Sequence, residues 1–313
     1  RDRKGEFHQS LIPPYTHRID SLETTIIQLY EKGITTREIA DLIEKMYGSH
    51  YSPTTISNIT KMVDEQVTAF HSRPIFHSQY VCLFLDATYI PLRRDAVQKE
   101  AVHIALGITS SGEKEILDYL IAPQESDIAW SELLGSLVSR GLTDVQLIVA
   151  DGMTAIQNTC ERNYPQAKFQ RCLVHINRNI MGKVRISDRQ EVASDFKKIH
   201  HASTTQEGKE MIQTFIDKWQ KRYPRMTHSL QETENLLTFT QFPKAIRGTI
   251  YSTNIIESFN KQLKRKTKVK EQFPNEEALD RFLVTQMVAY NNKKAGRAHK
   301  GFKQCQDTLD SMF

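Results

Sequence analysis

Near the start of the chain, apolar residues recur at helical spacing in three short runs. Leu22, Ile26 and Leu29 form the first, Ile39, Ile43 and Met46 the second, and Ile56, Ile59 and Val63 the third. Gly33 separates the first run from the second, Tyr47-Gly48 closes the second, and Ser52-Pro53 opens the third with a cap and a first-turn proline. The spacing predicts three short helices within residues 1–70. One reading is a helix-turn-helix, in which Thr54, Thr55, Ser57 and Asn58 at the front of the third helix hydrogen-bond bases and phosphates in the major groove. The other is a plain three-helix bundle used for packing or dimerisation.

Past residue 80 the period becomes that of strands. Val81-Cys82-Leu83-Phe84-Leu85 is a continuous apolar run, as a buried strand requires. The segments from Ala101 to Ile108 and from Glu115 to Ile121 flank the turn signal Ser110-Ser111-Gly112. A helix is predicted from Asp127 to Arg140, then a fourth strand from Val145 to Ala150. Three meandering strands, a helix, a strand and a further helix make a mixed α/β sheet in the order found in ribonuclease-H-like nucleases. From His175 to Gly248 the pattern is helical and polar, with Phe215, Trp219 and Phe239 as occasional anchors, which predicts an all-α insertion. Residues 276–290 form another amphipathic helix. The expected organisation is a helix-turn-helix domain over 1–70, a catalytic core over 76–180, the insertion over 181–250, and the rest of the core with a helical tail over 251–313.

Composition narrows the class. With 39% hydrophobic and 25% charged residues, the chain excludes collagen-like and disordered architectures. No apolar run approaches the ~18 residues of a membrane span. Cys82, Cys160, Cys172 and Cys305 form no close pair, so a reducing compartment and a cytoplasmic protein are expected. The absent initiator Met suggests that the sequence begins inside a longer natural chain. The net charge of +5 is modest, but it is concentrated. Lys261, Lys264, Arg265, Lys266, Lys268 and Lys270 put six cations in ten residues without an acid, and Lys293, Lys294, Arg297, Lys300 and Lys303 follow in the tail. A phosphate backbone is the partner that such runs suit, through counterion release.

Three acids stand out. Asp86 and Asp151 are each expected to terminate a buried strand, where α/β sheets place their ligand sites. Side by side, two aspartates repel unless a divalent cation neutralises them, and hard oxygen donors suit Mg²⁺. Glu257 lies three residues after Asn254, the spacing of a helix cap and its reciprocal carboxylate, so capping and metal binding compete for one side chain. Cys172 and His175, after Arg171, have the spacing of half a zinc site, but no second pair completes it, and a core cysteine beside a hydrogen-bonding histidine is the alternative.

Four segments together, Leu85-Asp86-Ala87-Thr88-Tyr89, Val149-Ala150-Asp151-Gly152, Gln170-Arg171-Cys172-Leu173-Val174-His175 and Ser252-Thr253-Asn254-Ile255-Ile256-Glu257-Ser258-Phe259-Asn260, resemble in order and spacing the Mutator-type transposases of bacterial insertion sequences. Phe273-Pro274-Asn275-Glu276 also looks like that family, and the likeness covers about residues 75–290. The resemblance implies a DDE transposase with a ribonuclease-H-like core interrupted by an all-α insertion. Asp86, Asp151 and Glu257 fall on its three acidic positions, Cys172 and His175 on its C-x-x-H signature, and Arg171 and Asn254 beside them as support. It implies two Mg²⁺ or Mn²⁺ ions on the three carboxylates, cleavage at transposon terminal inverted repeats, and transfer of the freed 3′-hydroxyl into target DNA. His175 would position the scissile phosphate or the attacking water, with Cys172 packed beneath it. Joining two ends to one target implies at least a homodimer. The rivals are a nuclease of the same fold that joins nothing, and a domesticated regulator that binds DNA without catalysis.

Overall fold

The computed structural model describes residues 16–48, 50–231 and 235–313. The chain opens with helices α1 (Thr16–Glu31), α2 (Thr36–Tyr47), α3 (Pro53–Thr60) and α4 (Asp64–Ser72). Strands β1 (Gln79–Arg93), β2 (Val97–Ile108) and β3 (Lys114–Ala122) follow, then α5 (Asp127–Ser139), β4 (Asp144–Ala150), α6 (Thr154–Asn163) and β5 (Lys168–Arg171). The remainder is helical: α7 (Leu173–Lys183), α8 (Arg189–Lys198), α9 (Thr205–Trp219), α10 (Pro224–Gln231), α11 (Lys244–Ile250), α12 (Asn254–Lys270), α13 (Glu276–Lys294) and α14 (Gln306–Asp310). None of the described helices is long and apolar enough to cross a membrane.

Two compact units emerge. One comprises the described residues up to Phe70 with Pro91–Gln98 and Lys264–Gln286; the other comprises the described residues of His71–Ile90, Lys99–Leu263 and Met287–Phe313. This differs from the expected partition, because the second half of the basic helix joins the N-terminal helices rather than the 251–313 segment.

In the first unit the helical runs meet through Ile26, Ile39, Ile43, Ile56 and Val63, all fully buried, together with Tyr30. Met46, expected on the buried face, is exposed instead. Thr35 and Glu38 cap α2 reciprocally, and Ser52 caps α3 ahead of Pro53. Gly33 has φ +91°, and a Cβ there would sit 3.1 Å from the Lys266 carbonyl oxygen, so only glycine suits this turn. Two of the predicted DNA contacts are spent inside this unit. Lys266 Nζ donates to the Glu31 carbonyl at 3.2 Å and to Gln286 Oε1. Lys270 Nζ donates to the Ile34 carbonyl at 3.0 Å and lies 4.0 Å from the centre of the Tyr30 ring. Phe273 is held between Pro91 and Arg93 by main-chain hydrogen bonds of 3.0 and 2.9 Å and packs on Phe282.

The second unit is built on a five-stranded mixed sheet of order β3-β2-β1-β4-β5. β1 runs parallel to β4, β4 parallel to β5, and β2 antiparallel to β3. Leu83, Leu85 and Ile148 from the sheet pack on Trp130, Leu133, Leu134 and Leu137 of α5, which Ser126 caps. Two strand features depart from the sequence pattern. β1 does not stop at Asp86 but continues to Arg93, so Asp86 is mid-strand. β5 has only four residues, Lys-Phe-Gln-Arg, too short and too polar to carry a strand period. Between α7 and α12 no strand occurs among the described residues, and α8 to α11 lie there in chain order.

Candidate active site

The β1–β4 pairing runs as far as Phe84 with Val149; Asp86 lies two residues further along β1, and Asp151 follows directly on the end of β4. Asp151 Oδ1 accepts a hydrogen bond from the Gly152 amide at 2.6 Å. The Arg171 guanidinium packs over Gly152, where a Cβ would lie 1.9 Å from Nε and would make that side chain shift. Arg171 ends β5 opposite Ala150, and its buried Nε has no protein partner.

Immediately after β5 the chain turns into α7 at Cys172, whose amide donates to the Ala150 carbonyl at 2.9 Å. This places His175 in the first turn of α7 and Arg178 one turn later on the same face. Facing them is the start of α12. The Glu257 amide bonds the Thr253 carbonyl at 2.9 Å, so Thr253, not Asn254, precedes the helix. Asn254 is exposed, and the helix-start residue that reaches Glu257 is Thr253, whose hydroxyl lies 3.5 Å from Oε1. Thr253 also gives both its amide and hydroxyl to the Cys172 sulfur, each at 3.3 Å. Glu257 is 8% exposed and receives a two-pronged hydrogen bond from Arg178, 3.1 Å to Oε1 and 2.8 Å to Oε2. His175 Nε2 lies 3.3 Å from the same Oε1. One turn beyond Glu257, Asn260 Nδ2 donates to Asp86 Oδ2 at 2.8 Å and links α12 to β1.

Burial dominates the electrostatics. It pushes the Asp86 carboxyl up to about 6; the charge of His175 and the Asn260 hydrogen bond oppose it, while Glu257 and Glu125 reinforce it. Glu125, held by the Trp130 indole at 3.3 Å, is also raised, by burial first and by the charge of Asp151. Burial would raise Glu257 too, but the Arg178 hydrogen bonds and charge, with His175 and Lys261, outweigh it and bring the carboxyl below its ordinary value. His175 is pushed up to about 9, first by its hydrogen bond to Cys172, against its own burial. For Cys172 burial acts upward, yet the hydrogen bonds of His175 and Thr253 bring the thiol below its usual range.

The sequence-predicted residues are thus partly assembled. Among the described residues, Cys172, His175 and Glu257 have donor atoms within 4.8 Å of one another, which gives the half zinc site a third donor; Asp86 and Asp151 are not in that trio. Arg178, Asn260, Thr253 and Glu125 were missed. The first two had a signal: each lies three residues beyond a predicted site residue, His175 and Glu257, in a helix. Of the other predicted DNA contacts, Thr54, Thr55, Asn58, Lys261, Lys264, Arg265 and Lys268 are exposed, and Ser57 is half-buried. Lys266 and Lys270 are not available in the same way.

A family model described as the Mutator family of transposases matches residues 1–295. The transposase for insertion sequence element IS905 of Lactococcus lactis subsp. lactis (strain IL1403) is 51% identical over 313 residues, 100% of this chain and 80% of that protein. The transposase for insertion sequence element IS1201 of Lactobacillus helveticus is 50% identical over 93% of this chain and 79% of its own length. The solved Drosophila P element transposase strand transfer complex aligns with 93% of this chain and 84% of its own at 11% identity and a TM-score of 0.38, a likeness from which nothing follows for the site.

Proposed function

The chain belongs to the Mutator family of transposases, and from that premise we propose that it is a DDE transposase acting on DNA, with a ribonuclease-H-like sheet carrying Asp86, Asp151 and Glu257 as its three acids. The observation that carries the reading is the placement of Asp86 within β1 and of Asp151 directly after the adjacent parallel strand β4, with Asn260 of the glutamate's own helix hydrogen-bonded to Asp86. Separate parts of the chain converge on one end of the sheet, as a phosphoryl-transfer site requires.

Divalent cations fit these residues. Asp86 is a buried carboxyl crowded by Glu257 and Glu125, a charge excess that a cation would relieve. Nearby, the buried Asn260 Oδ1 and Thr88 Oγ1 have no protein partner, which leaves further hard oxygen acceptors. Asp86, Asp151 and Glu257 would hold two Mg²⁺ or Mn²⁺ ions. When bound, these supply Lewis-acid stabilisation for the attacking and leaving oxygens of cleavage at a terminal inverted repeat and of strand transfer into target DNA. The protein's part is to orient. Asn260 fixes the Asp86 carboxylate, and His175, beside the Cys172 sulfur, would act as a donor that positions the scissile phosphate. Exposed Lys261, Lys264, Arg265 and Lys268 would track the phosphate backbone, and α1 to α3 would read the ends as a helix-turn-helix, the protein acting as a homodimer.

The test is incubation with labelled terminal-repeat DNA, a target plasmid and Mg²⁺, comparing wild type with Asp86→Asn. Joined products that vanish in the variant support transposition; cleavage without joining favours a nuclease, and binding alone a regulator.

A further inference from the structure

Both oxygens of Glu257 are already occupied by protein. Arg178 takes one with each prong of its fork, and His175 Nε2 stands 3.3 Å from Oε1. A carboxylate so held has little left to offer a cation. The holder and the held differ in exposure: the Arg178 side chain is 53% exposed and that of Glu257 10%. A polyanion arriving from solvent can therefore reach the guanidinium but not the carboxylate. Guanidinium forks bind phosphate with the same two-pronged geometry as carboxylate. The helix start that carries Glu257 is fixed independently, by the Leu173 amide on the Tyr251 carbonyl at 2.9 Å and by Thr253 on Cys172. Release of the fork thus frees Oε2, while Oε1 stays beside His175 and the backbone does not move.

We propose that Arg178 is a positioning residue that holds the Glu257 carboxylate until a DNA phosphate takes over its guanidinium, so that the third acid reaches the cation only when DNA is bound. This rests on the metal-dependent reading above. It makes binding of nucleic acid and binding of the cation mutually supportive, because each removes a competitor of the other.

The experiment is titration of the full chain with Mn²⁺, followed by electron paramagnetic resonance, with and without a mixed-sequence DNA duplex. Asp86→Asn with duplex serves as the blank for ions held by DNA alone. Without DNA, Arg178→Gln and Arg178→Ala are expected to tighten Mn²⁺ binding on the order of tenfold, the scale of one charge-assisted hydrogen bond. The gain disappears when Glu257→Gln is added. Duplex tightens Mn²⁺ binding in the wild type and has no further effect in the Arg178 variants. Unchanged affinity in both variants overturns the proposal, as does weaker affinity accompanied by a lower Tm, which marks a merely structural ion pair. If wild type and Asp86→Asn bind Mn²⁺ alike under all conditions, the metal reading itself fails. That result differs from a wild type that binds the ion through Asp86 and ignores Arg178.

Discussion

The two halves of α12 use the same helical periodicity for opposite ends. In the first half, Glu257 and Asn260, three residues apart, turn polar groups inward to meet Arg178, His175 and Asp86. In the second half, Lys266 and Lys270, four apart, turn inward onto main-chain carbonyls of Glu31 and Ile34 and the Tyr30 ring. Lys264, Arg265 and Lys268 lie between them on the outer face. A basic run read as one continuous track thus divides in two: inward lysines that fasten the helix to its own unit, and outward residues that stay exposed. The count of charges says nothing about which face each occupies.

The largest effect should come from the first half. Glu257→Gln is expected to reduce strand joining by at least ~10³-fold, the effect of removing a charge that on the proposed reading holds a catalytic cation, while the dissociation constant for end DNA changes little. Single-turnover joining and a filter-binding titration check both parts. Asn260→Ala should act through Asp86 and reduce joining by roughly ten- to a hundredfold, the cost of one hydrogen bond to a charged group. Partial rescue by Asn260→Gln but not by Asn260→Leu would identify the amide donor as the cause.

The second half should respond in stability instead. Lys270→Ala removes a donor from the Ile34 carbonyl and a cation from the Tyr30 ring, an expected loss of about 1–3 kcal/mol in urea unfolding. Burial brings the Lys270 ammonium down from 10.5 to about 8. Between those values the unfolded chain binds the proton and the folded one does not, so stability rises with pH. The contribution of this group is complete above 10.5 and is lost as pH falls through about 8, so the wild type should gain on the variant between pH 8 and 10. The smallest effect belongs to the outer face. Lys268→Ala should leave Tm unchanged and reduce the slope of DNA affinity against salt by about one unit, with no dependence on DNA sequence.

The sequence made some of this legible. The three helical runs before residue 70 and the apolar strands around Leu83 and Ile148 follow from period alone, because each buries a continuous apolar face. Asp86 and Asp151 were visible as acids set against apolar runs, but mid-strand placement of Asp86 was not, since the strand continues through polar and proline residues up to Arg93. β5 escaped because four mixed residues at a sheet edge have no period. Arg178 and the inward turn of Lys266 and Lys270 depend on which side of a helix meets a distant segment, and a local window does not hold that information. Asn260 stood within a quoted motif, and its partner Asp86 lies 174 residues away in sequence.

One paired measurement tests the division of α12 directly: joining of a pre-cut end and thermal unfolding, run in parallel on Glu257→Gln and Lys270→Ala. The expected result is a Glu257→Gln protein that remains folded and joins nothing, beside a Lys270→Ala protein that unfolds earlier yet joins at the wild-type rate per folded molecule. The contradicting result is the reverse, a Glu257→Gln protein that still joins DNA or a Lys270→Ala protein that loses joining with its Tm intact.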